Sequence, residues 1–303
     1  MNDAVRSFFD QRGFLEVDTP IAVRSPGLEP HLFAYETTEF GPDGARETLY
    51  LHTSPEYAMK RMLGRGIGSI YQIARVFRNG ERSRTHTPEF TMLEWYRFAG
   101  TLEQIMDDTE ALVRAVADAV GGPWRPSGSA RLSVTEAFTR RGLADPLSID
   151  DSVELAKGLS VKADPADSWD DIFFKAFFKH VEPSFDRGRT TILHGYPARM
   201  AALAKIDTRD PRSAERFELF VGPMELGNAF GELTDPVEQR ARFEADQRAR
   251  ASSGAPVYPI DEGLLADLGG IGQAAGIAVG LDRLLMSCLG VADVADVVPF
   301  APR

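Results

Sequence analysis

The feature that most narrows the fold is a long antiparallel hairpin. Residues 69–78 and 89–99 are rich in β-branched and aromatic side chains and read as strands, and the polar segment 79–88 joins them. A hairpin of this length commits its neighbours to an antiparallel sheet with at least one face on a core. Strand signals recur at 14–17, 49–52, 190–193, 216–221, 224–230 and 276–281. They do not alternate one for one with helices. The expectation is an α+β fold, a mainly antiparallel sheet flanked by helices, and not a doubly wound one.

Helical signals fill the spaces between. Val5, Phe8 and Phe9 form a stripe that stops at Gly13. Residues 101–120 give the clearest helix, with Leu102, Ile105, Met106, Leu112, Val113 and Val116 on one face and Gly121 as the stop. Thr53, Ser54, Pro55 and Glu56 spell a capping box with proline near the first turn. A charged helix is expected over 235–251 and a last one from Asp282. Residues 123–187 read as several short helices with Pro and Gly breaks, a helical insertion on one domain that covers all 303 residues.

Charge and cysteine usage exclude some functions. With 34 basic against 45 acidic residues the net charge is −11, which disfavours non-specific binding to nucleic acid but leaves room for a local basic cleft. Cys288 is the single cysteine, so no internal disulfide forms and a reducing, cytoplasmic setting is expected. Residues 1–10 are unlike a signal peptide, and no run approaches the ~18 apolar residues of a membrane span.

Four groups of residues could carry chemistry. Arg78, Arg82, Arg84 and His86 place multidentate phosphate donors in the hairpin loop, although composition alone fits a solvated loop as well. Alternation puts Phe90, Met92, Glu94 and Tyr96 on one strand face, suited to an adenine ring and an amine. A core face rarely carries an unpaired carboxylate, so Glu94 needs a partner. Glu218, Glu225, Asn228 and Glu232 sit on two neighbouring strands, where the carboxylates could hold magnesium or simply face solvent. Strict alternation separates Glu225 from Asn228 unless a bulge falls at Gly227. Finally, Gly276, Ala278 and Gly280 let a ligand approach a strand closely, and Arg283 opens a helix whose start favours anions.

Taken in order, these groups resemble the motifs of class II aminoacyl-tRNA synthetases, specifically the lysyl-tRNA synthetase catalytic domain. Residues 8–20 resemble motif 1, the dimerisation element; 77–96 resemble motif 2 and 276–283 motif 3. Within the family, the run from Thr53 to Arg61 through Glu56, the run around Glu94 and Tyr96, and Glu232 with Leu233 are similar to truncated paralogues that attach β-lysine to a lysine of elongation factor P. Ala278, where the synthetases have glycine, fits them too. No anticodon-binding OB domain is expected before motif 1.

The resemblance implies roles. Phe90 stacks on adenine, Arg78 and Arg283 act on the ATP phosphates as the catalytic pair, and Glu81 and His86 join the ATP site. Glu218 and Glu225 hold Mg²⁺. Glu56, Tyr96 and Glu232 surround the side-chain ammonium of lysine or (R)-β-lysine, Glu94 meets a second amino group, and Ser54, Asn228, Glu225 and Ala278 complete the substrate pocket. The implied reaction is adenylate formation followed by transfer to elongation factor P, by a homodimer for which tRNA is not the partner. A stand-alone domain that charges tRNA and an inactive regulatory paralogue are the alternatives. Two departures stand out: Gly80 occupies the place of a motif 2 carboxylate, with Glu81 next to it, and Thr87 replaces the usual asparagine.

Overall fold

The computed structural model describes residues 1–301. Helix α1 (Asn2–Asp10) turns Val5, Phe8 and Phe9 inward, and Gly13, at φ 72°, takes the left-handed turn into β1 (Leu15–Glu16). Next come β2 (Ala22–Val23), β3 (Tyr35–Phe40) and β4 (Arg46–Leu51), then α2 (Glu56–Gly64) and the hairpin of β5 (Ile70–Phe77) and β6 (Glu89–Phe98). In α3 (Leu102–Val120), Thr101 and Gln104 close a capping box and Gly121 ends the helix at φ 73°.

The stretch expected to be all helical opens with a strand, β7 (Ser129–Ser133), before α4 (Val134–Thr139), α5 (Ser152–Gly158) and α6 (Trp169–Ala176). Strands β8 (Thr190–His194), β9 (Arg216–Val221) and β10 (Met224–Gly231) follow. The chain closes with α7 (Pro236–Ser252), α8 (Glu262–Leu268), β11 (Ala274–Gly280) and α9 (Leu281–Leu289).

Eight strands form one sheet in the order β1-β5-β6-β11-β10-β9-β8-β7, antiparallel except at its two edges, where β1 pairs parallel with β5 and β7 with β8. The α+β expectation is met. A second small sheet, β2-β4-β3, was not foreseen, because the exposed sequence of β3 shows no alternation of apolar and polar residues.

One face of the large sheet is closed. Leu93, Trp95, Ile277, Val279, Ala229 and Leu219 pack under α1, α3 and α9. The opposite face is covered only at its flanks. The 129–200 region packs Phe138, Phe173 and Phe177 over the β8–β9 side, and α2, α7 and α8 pack Met59, Phe243 and Leu265 over the other. The middle of that face stays open.

Candidate active site

Register lines up one residue from each of four strands on the open face. Glu94 of β6 lies opposite Ala278 of β11, Ala278 opposite Asn228 of β10, and Asn228 opposite Glu218 of β9. With strands ~4.8 Å apart, this row spans roughly 14 Å. The register of β10 shifts between Glu225 and Gly227, so the required bulge is present. Leu226 and Ala229 consequently both point into the core, leaving Glu225 and Asn228 together on the site face. Gly227 has no alternative, since a Cβ there would lie 2.6 Å from the Ala278 carbonyl oxygen.

The end of the row at Glu94 is acidic and sealed. Ser54 Oγ donates to one oxygen of Glu94 at 2.6 Å and the Tyr96 hydroxyl donates to the other at 2.5 Å. Gly276 makes room for the Tyr96 ring, which a Cβ would meet at 2.3 Å. The predicted capping box is therefore not formed. Ser54 Oγ takes the N–H of Glu56 and points its own proton at Glu94, while the Glu56 carboxylate goes to Lys60.

Lys60 holds this end together. Its ammonium lies 2.5 Å from Glu56 and 2.6 Å from Glu232, with 2% of the side chain exposed. Burial alone would lower its pKa, but Glu232 and Glu56 carry it above the usual lysine value. Burial, reinforced by Glu56, pushes Glu94 up to about 8, and the same two causes raise Glu232, against the pull of Lys60. Glu29, which the sequence reading missed, is also raised by burial and by Glu56, and its Oε2 has no hydrogen-bond partner among the described residues.

The opposite end of the cleft is cationic and open. The Arg78 guanidinium lies 5.3 Å from the Phe90 ring centroid and 3.8 Å from Glu81, and donates to the Thr53 carbonyl. Gly80 takes φ 85°, a left-handed conformation that suits glycine, and the neighbouring Glu81 is the carboxylate that reaches Arg78. Arg283 sits in the first turn of α9, whose N-terminus carries no side-chain cap. It donates to the carbonyls of Glu225 and Thr85 and lies against Nε2 of His86. Burial, with Arg283 and Arg78 nearby, depresses His86 to about 4, so the imidazole is neutral at physiological pH.

At the β9 end of the row, Arg216 donates to both Glu218 and Asn228, and the Tyr196 hydroxyl donates to Glu218. Glu225, although exposed to the cleft, is pushed up to about 7 by the surrounding walls and then by Glu218. No group of three or more His, Cys, Asp or Glu suited to a metal occurs among the described residues.

A cleft of about 730 Å³ joins the two ends, with Ser54 and Glu56 at one, His86 and Arg283 at the other, and Phe90, Asn228 and Ala278 between. A neighbouring cavity of about 720 Å³ includes Glu218 and shares Glu225 and Arg283. Glu94, Tyr96 and Glu232 are buried and are not among the residues that line the cleft. Lys60 and Arg216 were legible but missed: Lys60 is one helical turn beyond Glu56, and Arg216 is two residues before Glu218 on a strand. Tyr196 comes from a loop and gave no signal.

The family model for class II tRNA synthetases (D, K and N) matches residues 1–303, and the chain belongs to this family. Proteins of Salmonella dublin, Salmonella paratyphi B and Salmonella heidelberg, each named elongation factor P--(R)-beta-lysine ligase, are 43% identical to it over 302 residues. The similarity covers 98% of this chain and 91% of theirs.

Proposed function

We propose that this protein activates (R)-β-lysine, or lysine, with ATP and ligates it to a lysine side chain of elongation factor P. The observation that carries the reading is a single cleft that joins Ser54 and Glu56, beside the buried Glu94, to two cleft-facing guanidiniums, Arg78 and Arg283. An amino acid with two ammonium groups suits the first end and a triphosphate the second. The 43% identity to proteins named for this reaction supports the same assignment.

In this reading Phe90 stacks on the adenine, with Arg78, Glu81, His86 and Arg283 around the nucleotide. The substrate carboxylate attacks the α-phosphorus, the bond to the bridging oxygen breaks, and pyrophosphate leaves. Arg78 and Arg283 stabilise the charge that develops, the usual work of fixed cations in phosphoryl transfer. Burial and then the Glu218 charge raise Glu225, an arrangement a divalent cation relieves, so Glu218 and Glu225 are the residues that would hold Mg²⁺. Bound there, the ion would neutralise phosphate charge. In the second step the acceptor ε-amine attacks the acyl carbon and AMP departs.

We extend the reading to a cytoplasmic homodimer joined through residues 8–20. No helix among the described residues is long and apolar enough to cross a membrane, and Cys288 is a buried free thiol. Phe8 and Phe9 are used in the core, so Leu15, 51% exposed on an edge strand, is the apolar residue of this segment left for a partner. A single-chain mass in light scattering at micromolar concentration would overturn the dimer.

The reaction itself is tested by incubating the protein with ATP, labelled lysine isomers, elongation factor P and tRNA(Lys). Label should appear on elongation factor P. Label on tRNA instead identifies a charging enzyme, and no amino-acid-dependent pyrophosphate exchange with any isomer identifies an inactive paralogue.

A further inference from the structure

We propose that Lys60 is a specificity-determining positioning residue, the resident counter-ion that bridges Glu56 and Glu232 in the empty pocket and sets its charge so that it accepts one substrate ammonium. The inference rests on the proposed diamino-acid substrate and goes beyond it by assigning the pocket's charge balance to the chain's own lysine.

The geometry argues this in three steps. The Lys60 ammonium bridges a carboxylate of its own helix and one that follows β10, and both contacts are buried. Glu232 nevertheless keeps a second buried oxygen, Oε1, with no hydrogen-bond partner among the described residues, whereas both oxygens of Glu94 are already used by Ser54 and Tyr96. Glu56 lines the cleft, and an orphaned carboxylate oxygen joined to it through Lys60 calls for a cationic hydrogen-bond donor. Once Glu232 is ionised, the trio of Lys60, Glu56 and Glu232 carries one net negative charge, which one substrate ammonium neutralises.

Removing Lys60 leaves mostly acid around Glu232. Glu56 faces it from α2 and Tyr96 from β6, with Glu94 two residues earlier on that strand; Lys205 is a nearby cation and is itself paired with Glu215 at 3.2 Å. Without the Lys60 ammonium, Glu232 is left buried beside the Glu56 carboxylate and takes up a proton more readily, and the pocket loses the charge that recognises the substrate. A lysine that only filled space would leave this balance untouched.

The test is kcat/KM for (R)-β-lysine-dependent ATP–pyrophosphate exchange between pH 6 and 9, in wild type, Lys60→Met and Lys60→Met/Glu232→Gln. In Lys60→Met the acid limb should move up by about one pH unit or more, and KM for the amino acid should rise about ten-fold or more while KM for ATP stays put. The double variant restores the trio's net charge, so its limb should return towards wild type even though KM stays high. A uniform loss with an unmoved limb in a folded Lys60→Met overturns the inference. Where Lys60→Met does not fold, the double variant decides: a limb at the wild-type position supports the proposal, and a displaced limb or a second failure to fold overturns it. Wild type without diamino-acid-dependent exchange would instead defeat the functional reading itself.

Discussion

The two ends of the cleft are built on opposite principles. At the acidic end, Glu94, Glu232 and Lys60 are each no more than 3% exposed, and every one has a partner from another element or from its own strand or helix. At the cationic end, Arg78 and Arg283 are held mainly by backbone carbonyls and by a loop, and the helix start beside them has no cap. The difference teaches where each kind of selectivity resides. A buried carboxylate set is expensive to leave unmatched, so it discriminates between substrates through charge and hydrogen-bond donors. Guanidiniums at a helix start gain most when phosphate charge develops, so they bear on rate.

If that division holds, the largest effect comes from the open end. Arg283→Ala should lower (R)-β-lysine-dependent pyrophosphate exchange by roughly 10²-fold or more, a loss typical of removing a charge-stabilising donor, while circular dichroism and melting stay near wild type. Near-normal exchange would remove Arg283 from the site.

The buried end should show itself through pH. A cation binds ionised carboxylates, and Glu94 is held up to about 8 in the empty protein. KM for the diamino acid should therefore fall about ten-fold per unit as pH rises from 6 towards 8, with no matching change in KM for ATP. Linkage fixes the sign for stability. Glu94 and Glu232 bind protons more tightly folded than unfolded, so the ligand-free protein should lose stability as pH climbs from about 4.5 to 8. Scanning fluorimetry at pH 6, 7 and 8 should give a falling Tm that saturating (R)-β-lysine flattens. A flat ligand-free profile would contradict the burial of these carboxylates.

Smaller effects sharpen the boundary between the ends. Ala278 lies in register between Glu94 and Asn228, so Ala278→Gly opens space where an α-amino group would sit. The ratio of kcat/KM for lysine over (R)-β-lysine should rise about ten-fold, the usual size of a methyl-sized change in a pocket. An unmoved ratio makes Ala278 a packing residue only. Tyr96→Phe removes one hydrogen bond from Glu94 and should raise KM for the amino acid by about five-fold with kcat little changed. An equal fall in kcat would place Tyr96 at the reacting atoms.

The sequence by itself determined the elements with strong local signals. The 5–9 apolar stripe, the 101–121 helix with its cap and glycine stop, and the β5–β6 hairpin stand where their patterns placed them, because caps and periodicity act within a few residues. Alternation likewise put Phe90, Met92, Glu94 and Tyr96 on one face, and Gly227 marked the bulge. The polar strands β3 and β7 were invisible because their stability comes from pairing with distant neighbours and not from their own composition. Only tertiary structure decided the partners of the charged groups. It turned Ser54 from a cap into a donor to Glu94, brought Tyr196 to Glu218, and set Lys60 between Glu56 and a glutamate far along the chain. Burial fixes those choices, since a charge removed from water must find its partner wherever the fold has placed one.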